Sequence, residues 1–255
     1  MILHALDAGQ GPAVVVLHGL FGAAANFGVL QRRLRDEYRV VALDARNHGA
    51  SPHDPRMDYA AMAADVADTL NAMGTGPAAV IGHSMGGKTA MALALARPDL
   101  VSRLLVADVA PVRYEPHFRV IAAAMQAVVL HPGLTRAEVD AALAEAAPDP
   151  RVRLFLSTNL RLGAAPAWRI GLDEIAAALP AIEGWEAAGS YDGPVLVLAG
   201  ERSDYIRPEH RALFTALFPQ ARFATLRDAG HWLHADQPDA FVATVRAFLA
   251  PLRTA

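Results

Sequence analysis

Five short runs in this chain are apolar almost without interruption: residues 13–18, 40–44, 79–83, 104–108 and 195–199. A strand exposed on one face alternates apolar and polar positions, so continuous runs of β-branched residues suit parallel strands covered on both faces. Residues 223–226 form a weaker sixth run. Longer stretches of helical period lie between them. One at 27–35 carries Leu30 and Leu34, and one at 59–73 carries Met62, Val66, Leu70 and Met73. Others are expected at 85–96, near 208–218 and at 239–249. Strand and helix in alternation specify the α/β class, with a mostly parallel, doubly wound sheet and right-handed crossovers. At 255 residues, 53% apolar and 19% charged, the chain fills one sizeable domain and is not globally disordered.

The alternation stops between residues 112 and 184. Helical patterns alone fill this stretch, at 118–130, 135–147, 150–160 and 172–179, with Pro132-Gly133, Pro148, Pro150, Gly163, Pro166 and Gly171 as punctuation. A crossover in such a sheet does not need about 70 residues. The expected organisation is therefore a core of 1–111 and 185–255 with a helical cap, 112–184, inserted between strands. It would sit over the carboxyl edge of the sheet, where these folds bind ligands.

Gly82-His83-Ser84-Met85-Gly86 matches Gly-x-Ser-x-Gly, between the third apolar run and the helix expected from Met85. A sharp strand-to-helix turn strains the central residue and leaves no room for a Cβ on its neighbours. It also lifts the serine oxygen clear of the sheet at a helix N-terminus, where negative charge is favoured. Together with His18-Gly19-Leu20-Phe21-Gly22 and Asp44-Ala45-Arg46-Asn47-His48-Gly49-Ala50-Ser51, the run Gly82-His83-Ser84-Met85-Gly86-Gly87-Lys88 resembles the α/β-hydrolase superfamily. Within it the chain is similar to small bacterial esterases of the YbfF type, over about residues 12–112 and 190–250.

That resemblance implies an α/β-hydrolase fold and a carboxylic-ester hydrolase, with acyl thioesters within the same chemistry. Ser84 is the expected nucleophile of a Ser-His-Asp triad that passes through a covalent acyl-enzyme. His231, in Asp228-Ala229-Gly230-His231-Trp232, follows the last apolar run and comes after the serine in chain order, so it is the expected base. Activity should then fall at acidic pH as the base protonates. His234, one turn on, is expected at the surface. Two carboxylates qualify as the acid. Asp108 ends the fourth run, and Asp204 lies in Gly200-Glu201-Arg202-Ser203-Asp204-Tyr205. The common Gly-x-x-Asp spacing puts Ser203 in the acid's slot, and the esterase resemblance favours Asp108, with Ser203 assisting.

The oxyanion hole should combine the main-chain N–H of Met85 with that of Leu20, Phe21 being the fallback. His18-Gly19 should shape its loop. Asn47 replaces a glycine of the superfamily's Arg-Gly-His-Gly turn, and asparagine tolerates positive φ. Lys88 is the single lysine against 22 arginines. It lies four residues after Ser84, and a structural ion pair is its expected role. Phe118, Met125, Phe155 and Trp168 of the cap are candidates for an acyl pocket.

Composition narrows the alternatives. A net charge of −3 gives no footprint for nucleic acid or anionic membrane. Zero cysteines exclude disulfide scaffolds, thiolate metal sites and a cysteine nucleophile. The N-terminus has no basic flank before Asp7 and does not read as a signal peptide. The longest apolar run, 120–130, is interrupted by Gln126 and falls short of the ~20 residues of a membrane span. The expectation is a cytoplasmic enzyme without cofactor, metal, nucleic-acid partner or membrane span, acting on a small-molecule ester or thioester; nothing in the pattern fixes its oligomeric state. Haloalkane dehalogenases and epoxide hydrolases need an aspartate where Ser84 stands. Carbon–carbon bond hydrolases and haloperoxidase-like enzymes keep the serine, as would a small-ligand receptor that retains the triad only to bind.

Overall fold

The apolar runs become the middle of a seven-stranded sheet. In the computed structural model, which describes residues 1–253, the chain begins with β1 (Ala5–Ala8), β2 (Ala13–Leu17), α1 (Gly28–Leu34), β3 (Arg39–Leu43) and α2 (Tyr59–Met73). It continues through β4 (Ala78–His83), α3 (Met85–Ala96) and β5 (Val101–Ala107). Four helices and a short ribbon follow: α4 (Phe118–Ala127), α5 (Arg136–Leu143), α6 (Pro150–Ser157), β6 (Leu160–Arg161), β7 (Ala167–Trp168) and α7 (Leu172–Ile182). The chain then returns to the sheet with β8 (Val195–Gly200), α8 (His210–Leu217), β9 (Ala221–Leu226), α9 (Leu233–Asp236) and α10 (Pro238–Leu249).

Strand order is β1-β3-β2-β4-β5-β8-β9, and every pairing is parallel except β1 with β3. Two cores explain why the central strands had to be apolar throughout. Val15, Leu17, Val41, Val80, Leu104 and Val106 face one core with α2, α3 and the inserted helices. Their neighbours Val14, Val16, Val40, Ile81 and Leu105 face a second with α1 and α10. Alternate side chains of one strand therefore enter different cores, and neither face is left for polar residues.

β1 has no counterpart in the sequence expectation. It is four residues long, half exposed and antiparallel, with Leu6 opposite Ala42. Its pairing rests on the neighbouring strand rather than on a pattern of its own. The stretch between β5 and β8 is not wholly helical, because β6 and β7 pair through Leu160–Trp168 and Arg161–Ala167. A two-residue ladder is too short to create a period of two. Among the described residues no helix is long and apolar enough to cross a membrane.

Candidate active site

Register brings the expected residues to one edge. His83 of β4 is paired with Ala107 of β5, so Ser84 and Asp108 each stand one residue beyond adjacent strand ends. Ser84 has φ 53° and ψ −121°, and Asp108 has φ 52°, both in the left-handed region that side chains usually avoid. At the serine turn the flanking glycines are demanded by main-chain crowding. A Cβ on Gly82 would lie 2.2 Å from the Gly86 carbonyl oxygen, and one on Gly86 would lie 2.3 Å from that of Leu17. The elbow is thus pressed against the exit of β2.

Asp108 is fully buried and accepts three hydrogen bonds. Oδ1 takes the Gly200 N–H (2.9 Å), while Oδ2 takes the Ser203 hydroxyl and the Nδ1–H of His231 (2.8 Å). His231 lies in the loop between β9 and α9. Asp204, the rival carboxylate, has a side chain 85% exposed and its oxygen is 3.7 Å from Arg207. The one-residue shift in that loop turns it to solvent and puts Ser203 against Asp108. The Nδ1 bond leaves the other nitrogen of His231 free to accept a proton. Ser84 and His231 line the same cavity, about 360 Å³ in volume.

In the first loop the two oxyanion candidates differ in their hydrogen bonding. The Phe21 N–H donates to His48 Nε2 (3.1 Å) and is not available. Neither Leu20 nor Met85 donates a main-chain hydrogen bond within the described residues. The imidazole that occupies Phe21 is held by Nδ1–H donation to the Arg46 carbonyl (2.9 Å), and burial pushes His48 down to about 3, which keeps it a neutral acceptor. His18 is braced likewise, between the Gly19 carbonyl (2.8 Å) and the Ala45 N–H (3.0 Å), with its pKa lowered by burial. Both histidines shape loops. Asn47 adopts φ 63°, and its amide closes the turn on both main-chain groups of Asp54 (2.9 and 2.7 Å).

Apolar side chains dominate the cavity wall. Phe118 and Ile121 come from α4, Val152, Phe155 and Leu156 from α6, and Trp232 from the loop of His231. Of the four aromatic and sulfur candidates, Phe118 and Phe155 are there. Met125 is wholly buried in the core, and Trp168 lines a separate surface depression. An adjoining groove of about 650 Å³ shares Phe27, Arg151, Phe155, Trp232 and Asp236 with the cavity and continues over Val29, Leu30 and Phe241.

Two expectations need correction. His234 is half-buried rather than exposed: it packs between Phe27 (centroids 4.5 Å) and His83 (5.0 Å), and burial pushes it down to about 4. The short helix α9 folds it back under the elbow. Lys88 is structural but forms no ion pair among the described residues. Its buried ammonium donates to the carbonyls of Val112 (2.8 Å), Gly184 (2.7 Å) and Glu183 (3.2 Å), and lies 4.8 Å from the Tyr114 ring and 5.5 Å from that of Tyr59. The Glu183 carboxylate turns instead toward Arg119 (3.8 Å). The end of α7 leaves unpaired carbonyls and negative dipole, a natural seat for a cation. Burial nevertheless pushes Lys88 down to about 7, helped by Arg113 and opposed by Glu183.

Two residues at the base were not anticipated. His83, the variable residue of the elbow motif, donates from Nε2 to the His231 carbonyl (2.7 Å). Tyr205 stacks on the His231 ring, with centroids 4.0 Å apart and planes 18° apart. Burial, with Asp108 and Asp204, pushes the Tyr205 phenol up to about 12, so it is un-ionised at neutral pH. No spacing rule marks either residue, because their contacts cross more than a hundred residues of chain or depend on loop shape.

A parallel sheet with a serine at such an elbow and a buried carboxylate–imidazole pair at its carboxyl edge defines an α/β hydrolase. Residues 14–244 match the model of the alpha/beta hydrolase family, and the chain belongs to that family. It is an enzyme of the esterase and lipase type, as its relatives show. It is 43% identical over 249 residues to the sn-1-specific diacylglycerol lipase ABHD11 of Mus musculus, covering 94% of this chain and 81% of that one. It is 40% identical over 239 residues to the esterase YbfF of Escherichia coli, covering 92% of each. Among solved structures, a marine microorganism esterase superposes with a TM-score of 0.94 at 34% identity, over 97% of this chain and 99% of that one.

Proposed function

We propose that the protein hydrolyses small carboxylic esters through a covalent acyl-enzyme on Ser84. The Ser84 oxygen attacks the acyl carbon as His231 Nε2 takes its proton. The N–H groups of Leu20 and Met85 hold the oxyanion, Asp108 steadies the imidazolium, and His231 protonates the departing alcohol. Water activated by the same imidazole then releases the acid and restores Ser84. The observation that carries this reading is the 2.8 Å bond from His231 Nδ1 to buried Asp108, made at the wall of a cavity that Ser84 also lines.

In the same reading, residues 112–184 are a cap, and Phe118, Ile121, Val152 and Phe155 make it the acyl-selecting wall. The cavity is near the small end for ligand sites and its walls are apolar, which suits short neutral acyl groups; the adjoining groove offers room for a longer chain. The test is labelling by a fluorophosphonate probe together with turnover of p-nitrophenyl esters of increasing acyl length, a diacylglycerol and acyl-CoA thioesters. Labelling and steady turnover are expected, both lost in Ser84→Ala, with short p-nitrophenyl esters preferred. Turnover that survives Ser84→Ala, or labelling without steady turnover of any ester, refutes the reading.

A further inference from the structure

The bond to Asp108 fixes one nitrogen of His231 but not the ring plane, because the χ2 torsion of histidine is broad. Two other rings confine it. His83 lies on one neighbouring position, with centroids 4.8 Å apart and planes at 43°, and is tied to the His231 carbonyl. Tyr205 lies nearly parallel at 4.0 Å.

Tyr205 is itself anchored at every polar atom. Its N–H reaches Ser203 Oγ (3.4 Å), its carbonyl accepts from the Tyr114 hydroxyl (2.7 Å), and its own hydroxyl meets His117 Nε2 (3.1 Å). His117 Nδ1 is bonded to the Glu115 carbonyl (3.0 Å), which leaves Nε2 as the acceptor for the phenol. The Tyr114 hydroxyl also accepts the Ala110 N–H (2.7 Å), two residues from Asp108. Two of the three anchors thus come from the segment entering α4, and the third from the serine that bonds Asp108.

We infer that Tyr205 is a positioning residue for acyl transfer: its ring face holds the His231 imidazole in its working plane and lies against the imidazolium that forms when Ser84 gives up its proton. An aromatic face attracts a cation, so the contact strengthens as charge develops, which favours the transition state over bound substrate. Through Tyr114 and His117 this hold is continuous with the segment that carries the cavity's α4 wall. The inference rests on His231 being the base, as proposed above.

Three variants separate these elements: Tyr205→Leu removes the face, Tyr205→Phe keeps it without the hydroxyl, and His231→Ala checks the base. Tyr205→Leu is expected to lower kcat on p-nitrophenyl butyrate about 10- to 100-fold with KM changed less than about 3-fold, as for a misplaced catalytic group. Tyr205→Phe should recover kcat to within about 3-fold of the parent. The downfield proton resonance of the His231 Nδ1–H bond should be present in the parent and in Tyr205→Phe, and broadened by exchange in Tyr205→Leu. Should Tyr205→Leu not fold, Tyr205→Met repeats the test with a flexible, non-planar side chain. Parental kcat and resonance in Tyr205→Leu overturn the inference. So does a loss equal in Tyr205→Phe, which assigns the effect to the hydroxyl, or a rise in KM alone, which makes Tyr205 only a cavity wall. Turnover that survives His231→Ala instead overturns the functional reading on which the inference rests.

Discussion

Replacing Lys88 by methionine should change how stability depends on pH. The two side chains are similar in length, but methionine carries no donor, so the carbonyls of Val112 and Gly184 lose their partner, while that of Glu183 keeps the Tyr114 N–H (2.9 Å). Each stranded buried acceptor costs about 1–3 kcal/mol, offset by no longer burying an ammonium. That balance sets the mean difference between parent and variant, not its pH slope. The slope comes from the proton. Burial pushes Lys88 down to about 7 in the folded protein, from 10.5 for an exposed amine. The folded value is the lower one, so between them the unfolded chain holds a proton that the folded chain has shed. Burying the charge therefore weakens the parent most below about pH 7, and this is relieved as pH rises toward the unfolded value. One proton corresponds to about 1.4 kcal/mol per pH unit. Parent stability relative to Lys88→Met should rise by about 2–3 kcal/mol between pH 7 and pH 9 and level off below pH 7. Urea unfolding followed by far-ultraviolet circular dichroism, on both proteins at about pH 6, 7, 8 and 9, measures it. A difference independent of pH from 7 to 9 refutes the reasoning, and means that the carbonyls, the tyrosine faces and the α7 terminus hold the ammonium against its burial.

The remaining predictions bear on the site. Asp108→Asn should cost about 10³- to 10⁴-fold in kcat on p-nitrophenyl acetate, because an amide at Oδ2 disturbs the Nδ1–H form of His231. Asp204→Asn, at a side chain 85% exposed, should leave stability within about 0.5 kcal/mol; a collapse of turnover in this variant alone assigns the acid to Asp204. Gly86→Ala drives a Cβ to 2.3 Å from the Leu17 carbonyl and 2.5 Å from that of His18. Both are main chain at the root of the loop carrying Leu20, so denaturant unfolding should show a loss of at least about 1–3 kcal/mol, and kcat should fall more than KM rises. Parental stability and kcat would count against the tight contact between elbow and loop.

Much of the fold was legible because burial on two faces writes itself into composition. A strand such as β2, with all five residues buried, has no polar position to disguise it. Helix α2 was equally plain, since Met62, Val66 and Leu70 repeat at helical spacing and Gly74 at φ 60° ends it. The edge strand β1 and the ribbon of β6 and β7 were not legible, because a half-exposed or two-residue strand takes its shape from its partner. The elbow was legible for the reason that makes it work: main-chain crowding permits only glycine at positions 82 and 86.

By itself the sequence determined the central strands of the sheet, the elbow serine and the histidine after the last strand, because each is set by local sterics or by the local period of burial. Tertiary structure decided what depends on direction. It turned Asp204 to solvent and Asp108 to His231, although both follow neighbouring strands. It engaged the Phe21 N–H with His48, while the Leu20 N–H donates no main-chain hydrogen bond among the described residues. It gave Lys88 main-chain carbonyls rather than a carboxylate, and it laid Tyr205 on the imidazole. A residue's neighbours along the chain fix its backbone, but where a loop side chain points is set by elements folded against it from far away in sequence.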